Sequence, residues 1–235
     1  MSERFSRQSL IIGEEQTALL STKRVALFGV GGVGSFAAEA LARCGVGYIE
    51  IIDNDTVSVS NINRQLCALT STIGKPKVDV VADRIRDINP NATVTSRQEF
   101  LLPENADTFD FSSYDFVIDA IDTVSAKIEI AVRCTALGIP MISSMGTGNK
   151  LDPSALKISD ISKTAGCPLA RVMRRELKSR GILHLPVVYS EEAPIKQSAP
   201  IFSENGKQIP GSISFVPSVA GLLAASVAIK SLIKQ

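Results

Sequence analysis

The residues whose chemistry is easiest to interpret form a glycine-rich turn between two apolar segments, residues 25–28 and 48–52. The glycines of this turn are Gly29, Gly31, Gly32 and Gly34. The first allows a tight turn, the middle two let backbone amides approach a phosphate, and the last lets the following helix pack closely. Asp53 follows the second apolar segment, where a carboxylate can accept hydrogen bonds from ribose hydroxyls. Such a turn can also serve packing alone, but strand, helix and acid in register favour a nucleotide site.

Two cations downstream of the turn indicate which nucleotide such a site would bind. Arg64 lies in the segment Ser-Asn-Ile-Asn-Arg-Gln, and Lys77 lies in the segment Gly-Lys-Pro-Lys. Fixed cations beside a glycine turn suit a triphosphate, whose charge must be offset during phosphoryl or nucleotidyl transfer. A dinucleotide such as NAD carries one pyrophosphate and needs less positive charge. The pattern therefore favours ATP, and an oxidoreductase that uses NAD is kept as an alternative.

The order of these motifs resembles that of a known family. Gly-x-Gly-Gly-x-Gly, Asp-x-Asp, Ser-Asn-x-x-Arg-Gln and Gly-x-Pro-Lys follow one another as in the adenylating enzymes of the ThiF/MoeB/HesA type, which include the ubiquitin-activating enzymes. The resemblance covers roughly residues 4–160 and implies an enzyme that activates a carboxylate with ATP and magnesium. The candidate nucleotide-binding residues are then Gly29, Gly31, Gly32, Gly34, Asp53, Asp55, Asn61, Arg64, Gln65, Lys77, Asp122 and Thr123.

The resemblance also implies roles for residues outside these motifs. Asp122 follows a predicted central strand and matches the aspartate that holds magnesium in the family. Asp119, three residues earlier, could instead be buried and bonded to a neighbouring loop. Arg7 matches an arginine that reaches into the ATP site of the partner subunit, which implies a homodimer. The candidate catalytic residues are Arg7, Arg64, Lys77 and Asp122.

The apolar pattern predicts an α/β fold: a Rossmann-like, mostly parallel sheet flanked by helices, with a C-terminal antiparallel extension. We expect one domain over residues 1–235. It would consist of an N-terminal arm or helix (1–22), a nucleotide-binding core (23–150) and a substrate-side extension with a C-terminal helix (151–235). Predicted strands cover residues 25–28, 48–52, 92–97, 114–120, 139–144, 156–161, 185–190 and 212–218, and predicted helices cover residues 35–43, 75–88, 126–137 and 170–181.

A second glycine-rich segment, Met-Gly-Thr-Gly-Asn-Lys at residues 145–150, follows the fifth predicted strand. The carboxyl end of a parallel strand lies over the ligand crevice, so this segment could form a wall of the substrate pocket. A flexible turn at the end of a strand would have the same composition. The sequence alone does not separate the two interpretations.

The C-terminal third narrows the family resemblance. Asp-x-x-Lys-Thr at 160–164, Cys-Pro-Leu at 167–169, a cationic helix and Val-Val-Tyr-Ser-Glu-Glu at 187–192 resemble the tRNA threonylcarbamoyladenosine dehydratases. That subgroup implies ATP-dependent dehydration of the modified adenosine in tRNA through an acyl adenylate, by a ring closure that needs no enzyme nucleophile. The alternative is an adenylyltransferase that activates the C-terminus of a ubiquitin-like sulfur-carrier protein, with a sulfur-transfer protein as a partner.

A cluster of cations suggests where tRNA would bind. Residues 170–181 are predicted to form a helix in which several cations are spaced three and four apart and so share a face. We expect this face to help hold tRNA, although a solvated cationic face without a partner is an equal alternative at a net charge of +1. No DNA partner is expected. The cations are Arg171, Arg174, Arg175, Lys178 and Arg180.

Cysteine use and hydropathy suggest the compartment. The 4 cysteines are scattered and form no C-x-x-C pair, which predicts a reducing cytoplasm and no zinc site. Residues 213–233 are mostly apolar but contain Pro217 and Lys230, so a buried C-terminal helix is favoured over a membrane span. The start of the sequence lacks the pattern of a secretory signal.

Overall fold

The computed structural model describes residues 3–202, 206 and 208–233. In this part of the chain there are seven sheet strands and six α-helices. The strands are β1 (Arg24–Phe28), β2 (Tyr48–Ile52), β3 (Thr93–Arg97), β4 (Phe116–Asp119), β5 (Met141–Ser144), β6 (Leu156–Asp160) and β7 (Pro186–Ser190). The helices are α1 (Ser6–Leu20), α2 (Gly34–Arg43), α3 (Lys77–Ile88), α4 (Val124–Leu137), α5 (Pro168–Lys178) and α6 (Phe215–Leu232).

The strands form one sheet in the order β3-β2-β1-β4-β5-β7-β6. Strands β1 to β5 and β7 pair in parallel, and β6 pairs antiparallel with β7 at the edge. The predicted α/β class and its antiparallel extension are therefore confirmed. Because parallel strands share a direction, their carboxyl ends meet at one edge of the sheet, where a ligand site is expected.

Alternation along the central strands divides the core between the two faces of the sheet. Val25 and Leu27 of β1 belong to an apolar cluster with α2, α3 and α6, while Ala26 and Phe28 belong to a second cluster with α4 and α5. Successive side chains of a strand point to opposite faces, so a fully apolar strand must be covered on both sides. This explains the continuous apolar runs in the sequence.

The predicted strand over residues 212–218 is wrong, because α6 begins at Phe215. Pro217 is compatible with the first turn of a helix, where its missing N–H needs no partner. Among the described helices, α6 is the one that is long and apolar enough to cross a membrane. In this fold Ala220 and Ala224 are buried, and a Cβ atom on Gly221 would lie 2.2 Å from the Val33 carbonyl oxygen. Small residues therefore let α6 pack closely on α2.

Helix α1 lies at the amino-terminal edge of the sheet, away from the carboxyl ends of the strands. Gln8 Nε2 donates to the Cys44 carbonyl oxygen at 3.0 Å, and the Phe5 ring packs against Gly45. Residues 44–45 precede β2 and so mark that edge. The backbone of α1 is non-helical at Gly13, whose φ is 83°, so the helix consists of two shorter parts.

Candidate active site

A cavity of about 520 Å³ opens at the carboxyl ends of β1, β2, β4 and β5. Its size falls within the range of small-molecule sites in proteins. It brings together residues from the glycine turn, Asp-x-Asp, Ser-Asn-x-x-Arg-Gln and Gly-x-Pro-Lys motifs. The candidate residues that line it are Gly29, Gly31, Gly32, Asp53, Asp55, Asn61, Arg64, Gln65, Lys77 and Asp122.

The glycine turn joins β1 to α2 and leaves no room for a side chain at its first and last glycines. Gly29 has a φ of 87°, and a Cβ atom there would lie 2.8 Å from the Ala120 carbonyl oxygen. A Cβ atom on Gly34 would lie 1.8 Å from the Gly29 carbonyl oxygen. The amides of Gly31 and Gly32 donate to no other described residue and border the cavity. They are available to an anion at the start of α2.

Asp53 is fixed at the end of β2 by two backbone amides. Its Oδ2 accepts from the Val30 amide at 2.8 Å and its Oδ1 from the Asp55 amide at 2.9 Å. Burial raises the pKa of the Asp53 carboxyl, while Lys77 and the two amides act in the opposite direction. A further donor, such as a ribose hydroxyl, would favour the charged form.

Lys77 occupies the first position of α3, and both its backbone and its side chain bind Asp55. Its amide donates to the Asp55 carbonyl oxygen at 3.0 Å, and its Nζ lies 2.6 Å from Asp55 Oδ2. The exposed fraction is 5% for the Lys77 side chain and 59% for that of Asp55. A nearly buried ammonium is thus held at the cavity by a carboxylate that itself remains accessible.

Arg64 approaches the cavity from the turn that follows a short 3-10 helix, Val59–Asn61. Its Nη1 donates to the Ser60 carbonyl oxygen at 2.9 Å and to Asn63 Oδ1 at 3.0 Å. A guanidinium has five N–H donors, so donors remain for a ligand. Asn61 and Gln65 of the same segment are buried, and Asn61 Oδ1 accepts from the Ser58 amide at 3.1 Å.

The two acids that follow β4 have different environments. Asp119 is fully buried, as the alternative interpretation of the sequence allowed, and pairs with the fully buried Lys127 of α4 at 2.9 Å. Asp122 is exposed at the cavity, and its Oδ1 accepts a long hydrogen bond from the Thr123 hydroxyl at 3.5 Å. Asp119 is therefore part of the scaffold, while the carboxylate of Asp122 is available to a ligand.

The buried ion pair connects three elements below the cavity. Lys127 Nζ also donates to the carbonyl oxygens of Ile121, at 3.1 Å, and Ser144, at 2.8 Å. Asp119 accepts from the Ser143 hydroxyl at 2.6 Å and from the Ile121 amide at 3.2 Å. All three ammonium donors thus have acceptors, and the ends of β4 and β5 are linked to α4. Lys127 gives little signal in the sequence, because it is a single lysine within an apolar helix.

Three of the candidate residues do not line the cavity. Gly34 lies under the turn, where it allows α2 to pack. Thr123 precedes α4 at its N-cap position. Arg7 is exposed on α1, and its side chain makes no hydrogen bond or ion pair with another residue in the described part of the chain.

The cavity has walls that the motifs did not predict. One wall follows β3 and consists of Glu99, Phe100 and Leu101. Its position could have been predicted, because β3 ends at the same edge of the sheet as β1 and β2. Residues 145–148 lie there too, which agrees with the interpretation of this segment as a pocket wall. Two further parts of the wall, Leu169 of the Cys-Pro-Leu segment and residues 210–212, come from distant parts of the sequence, and nothing local indicates that they meet at this cavity.

The arrangement of this cavity agrees with a match to a known family. The model of the ThiF family matches residues 5–235. The chain belongs to the ThiF family. The resemblance inferred from the glycine turn and the downstream motifs is thereby confirmed, and it extends beyond residue 160 to the end of the chain.

Similar members of the ThiF family carry the name tRNA threonylcarbamoyladenosine dehydratase. The protein from Bacillus subtilis is 46% identical over 100% of this chain and 96% of its own length. That from Escherichia coli is 40% identical over 81% of this chain and 74% of its own length. The crystal structure of the E. coli enzyme TcdA in complex with ATP has a TM-score of 0.89 and 36% identity, covering 98% of this chain and 93% of that one. These matches confirm the narrower resemblance of the C-terminal third.

The buried ion pair leads to a test in this ThiF-family chain. Lys127→Met leaves Asp119 buried without its partner charge, and we expect the free energy of unfolding to fall by about 3–5 kcal/mol. Adding Asp119→Asn removes the isolated charge and should recover part of that loss. Urea unfolding of the single and double variants measures both effects. If the double variant loses the sum of the single losses, the two side chains are not coupled as described.

Proposed function

We propose that this protein catalyses the ATP-dependent dehydration of threonylcarbamoyladenosine in tRNA through an acyl adenylate. The observation that carries the proposal is the convergence of Arg64, Lys77 and Asp122 beside the glycine turn, in one cavity with a wall formed by residues 145–148, Leu169 and residues 210–212. The similarity to named dehydratases along the whole chain supports the choice of substrate. The bound ATP in the E. coli relative supports the choice of nucleotide.

The reaction requires activation because a carboxylate is a poor electrophile. One carboxylate oxygen of the threonyl group attacks the α-phosphorus of ATP, the bond to the β-phosphate oxygen breaks, and pyrophosphate leaves. The ureido group of the same nucleoside then attacks the acyl carbon, and AMP departs with the former carboxylate oxygen. One proton is lost from the ureido group. The sum is loss of water from the nucleoside and cleavage of ATP to AMP and pyrophosphate.

The described residues suit these steps. The amides of Gly31 and Gly32 and the cations Arg64 and Lys77 would offset charge that develops on the phosphates. Asp53 would orient the ribose by accepting its hydroxyl hydrogens. Asp55 would then act through Lys77, because their 2.6 Å contact fixes the ammonium.

Magnesium fits the donor set that the cavity offers. Magnesium prefers carboxylate oxygens together with substrate phosphates and water, and it rarely has an all-protein site. Asp122 supplies an accessible carboxylate at the cavity, and no group of three metal-binding side chains occurs within residues 3–202, 206 and 208–233. Asp122 would therefore hold the ion together with ATP, where magnesium neutralises phosphate charge.

The thiols support a mechanism without an enzyme nucleophile. Burial raises the pKa of Cys67, and burial together with the charge of Asp119 raises the pKa of Cys134 to about 12. Cys167 is buried, and Cys44 lies near α1 at the opposite edge of the sheet. A thiol with a raised pKa is a weak nucleophile. Ring closure within one bound nucleoside needs no such group, because proximity supplies the rate advantage.

Pyrophosphate release tests this function and its substrate together. The wild-type protein should release pyrophosphate from ATP and magnesium with total tRNA from cells that lack the protein. It should not do so with a diglycine-tailed carrier protein. Lys77→Ala and Asp122→Ala should each lower the rate by about 10²–10³-fold, the effect expected of one preorganised charge.

Lys75→Ala is the matched control, because Lys75 lies in the same Gly-Lys-Pro-Lys segment but is exposed and does not line the cavity. It should retain wild-type activity. Release with the carrier protein alone would replace the tRNA proposal by the adenylyltransferase and a sulfur-transfer partner. Binding of NAD without ATP, measured by calorimetry, would contradict the adenylating mechanism itself.

The position of Arg7 supports a homodimer. Arg7 lies on α1 near the amino-terminal edge of the sheet, whereas the cavity opens at the carboxyl-terminal edge. It is therefore unsuited to the site of its own chain and could serve that of a second copy. Leu10 and Ile11 on the same helix are 87% and 84% exposed, which suits burial between two copies.

Complementation in a purified heterodimer tests this arrangement. An Arg7→Ala chain and a Lys77→Ala chain are co-expressed with different tags, and the mixed dimer is isolated. One of its two sites contains an intact Lys77 and receives the intact Arg7, so we expect about half of wild-type activity. No recovery would mean that Arg7 acts within its own chain, and full activity of the Arg7→Ala homodimer would mean that Arg7 has no role. A fully active monomer would refute the dimer.

The basic helix requires a correction before it can be assigned to tRNA. Arg174 does not share an exposed cationic face, because its Nη1 donates to the Ile161 carbonyl oxygen and to both oxygens of Thr164 at 2.7–3.2 Å. The guanidinium groups of Arg175 and Arg180 both pair with Glu176. The side chains of two exposed cations of α5, Arg171 and Lys178, make neither a hydrogen bond nor an ion pair with the described residues.

Arg171 and Lys178 therefore form the part of α5 that we expect to contact tRNA phosphates. They are seven residues apart and lie on one helix face. In the double variant Arg171→Ala/Lys178→Ala, the slope of log tRNA affinity against log salt concentration should become shallower by about two, one for each lost phosphate contact. Arg175→Ala/Arg180→Ala is the control and should change the slope less. Unchanged tRNA affinity and slope in the first variant would exclude this helix from the tRNA-binding surface.

The tRNA substrate also leads us to propose a cytoplasmic location.

A further inference from the structure

The segment between β7 and α6 lies beside the cavity and belongs to no strand of the sheet in its described part. We call residues 193–212 the strap; the structure describes residues 193–202, 206 and 208–212 of it. Pro210, Gly211 and Ser212 at its end line the cavity together with residues 145–148. The position of this wall therefore depends on what holds the strap.

Asn149, in the second glycine-rich segment, binds both ends of the strap. Its amide donates to the Gly211 carbonyl oxygen and its carbonyl oxygen accepts from the Ile195 amide, each at 2.7 Å. Its side-chain Oδ1 accepts from the Gly211 amide at 2.7 Å and from Gln197 Nε2 at 2.9 Å. The amide, carbonyl and side chain of one residue are thus all bonded to the strap.

The backbone at this position suits asparagine. Asn149 has a φ of 56°, in the left-handed region that asparagine and glycine enter more readily than other residues. Gly148, just before it, is in direct contact with the strap, because a Cβ atom there would lie 2.7 Å from Pro210 Cβ. Any side chain at position 148 would push the strap away.

The strap also contacts the nucleotide side of the cavity. Asn63 Nδ2 donates to the Ser212 carbonyl oxygen at 2.9 Å, and Asn63 Oδ1 accepts from Arg64 at 3.0 Å. The end of the strap thus lies between Asn149, which follows β5, and the segment that carries Arg64. The glycine turn, Asp53 and Lys77 come from other elements, and the hydrogen bonds described for them do not involve the strap.

We propose that Asn149 is a positioning residue for the acyl substrate: it holds the strap as the wall against which the tRNA nucleoside binds. This inference rests on the proposed function for the identity of that substrate. Release of the strap would widen the cavity on the β5 side. Binding of the nucleoside would then weaken, while binding of ATP at the glycine turn would persist.

Two substitutions at the same position separate the side-chain contact from the backbone. Asn149→Gly accepts the left-handed backbone and removes the side-chain oxygen. Asn149→Asp keeps an oxygen that accepts from both Gly211 and Gln197. Ser198→Ala is the control on the strap itself, because Ser198 is exposed and makes no hydrogen bond to the described residues.

The first readout is steady-state kinetics of the variants. The acyl substrate is the one with which the wild-type protein releases pyrophosphate, which we propose to be tRNA. In Asn149→Gly the KM for that substrate should rise by about tenfold, as expected for one or two lost hydrogen bonds, with the KM for ATP unchanged. Asn149→Asp and Ser198→Ala should behave as the wild type. An equal rise for ATP, or no rise at all, would overturn the positioning role.

Hydrogen exchange gives a second readout that needs no substrate. The Gly211 amide, which donates to the Asn149 side chain, should exchange faster in Asn149→Gly and at the wild-type rate in Asn149→Asp. Equal exchange in all variants would overturn the inference even if tRNA proves to be the substrate. If the wild type uses the carrier protein instead of tRNA, the proposed function fails, and the same pair of variants is then compared with that substrate.

Discussion

The buried contact between Asp119 and Lys127 determines where the two sides of the cavity meet. Asp119 lies at the end of β4 and Lys127 lies in α4. The ammonium also donates to the carbonyl oxygens of Ile121, just after β4, and of Ser144, at the end of β5. A charged pair without water is stable only when each remaining donor and acceptor is bonded, and here each has a partner. The loops that carry Asp122 and residues 145–148 start directly from this network, so their relative position is set in the core.

From that network the cavity divides into two parts with different origins. The nucleotide side is built from consecutive motifs between β1 and α3, in which backbone groups bind Asp53 and Arg64 and the Asp55 carboxylate binds the Lys77 ammonium. The substrate side is assembled from distant segments: the loop after β5, the start of α5 and the strap. This division suits a reaction in which ATP is invariant and the acyl substrate distinguishes members of one family.

How far the sequence predicted this structure depends on the range of the interactions. The sheet and the nucleotide side were predicted because strand alternation, the glycine turn and the register of Asp53 are local signals. The start of α6 at Phe215 was not predicted, because polar and apolar residues alternate before it as they do in a strand. The contact of Gly221 with α2 that favours the helix joins residues far apart in the sequence. Arg174 donates hydrogen bonds to the carbonyl oxygens of Ile161 and Thr164 in a neighbouring loop. The spacing of cations along a helix does not show that one of them is bonded to another part of the chain.

The central claim is that a carboxylate oxygen of the substrate becomes part of AMP. It is tested most directly with tRNA whose threonylcarbamoyladenosine carries ¹⁸O in both carboxylate oxygens, followed by mass spectrometry of the nucleotide product. The account predicts AMP with one ¹⁸O atom and unlabelled pyrophosphate. ADP as the product, with ¹⁸O in inorganic phosphate, would show transfer of the γ-phosphoryl group instead and would contradict the adenylate mechanism.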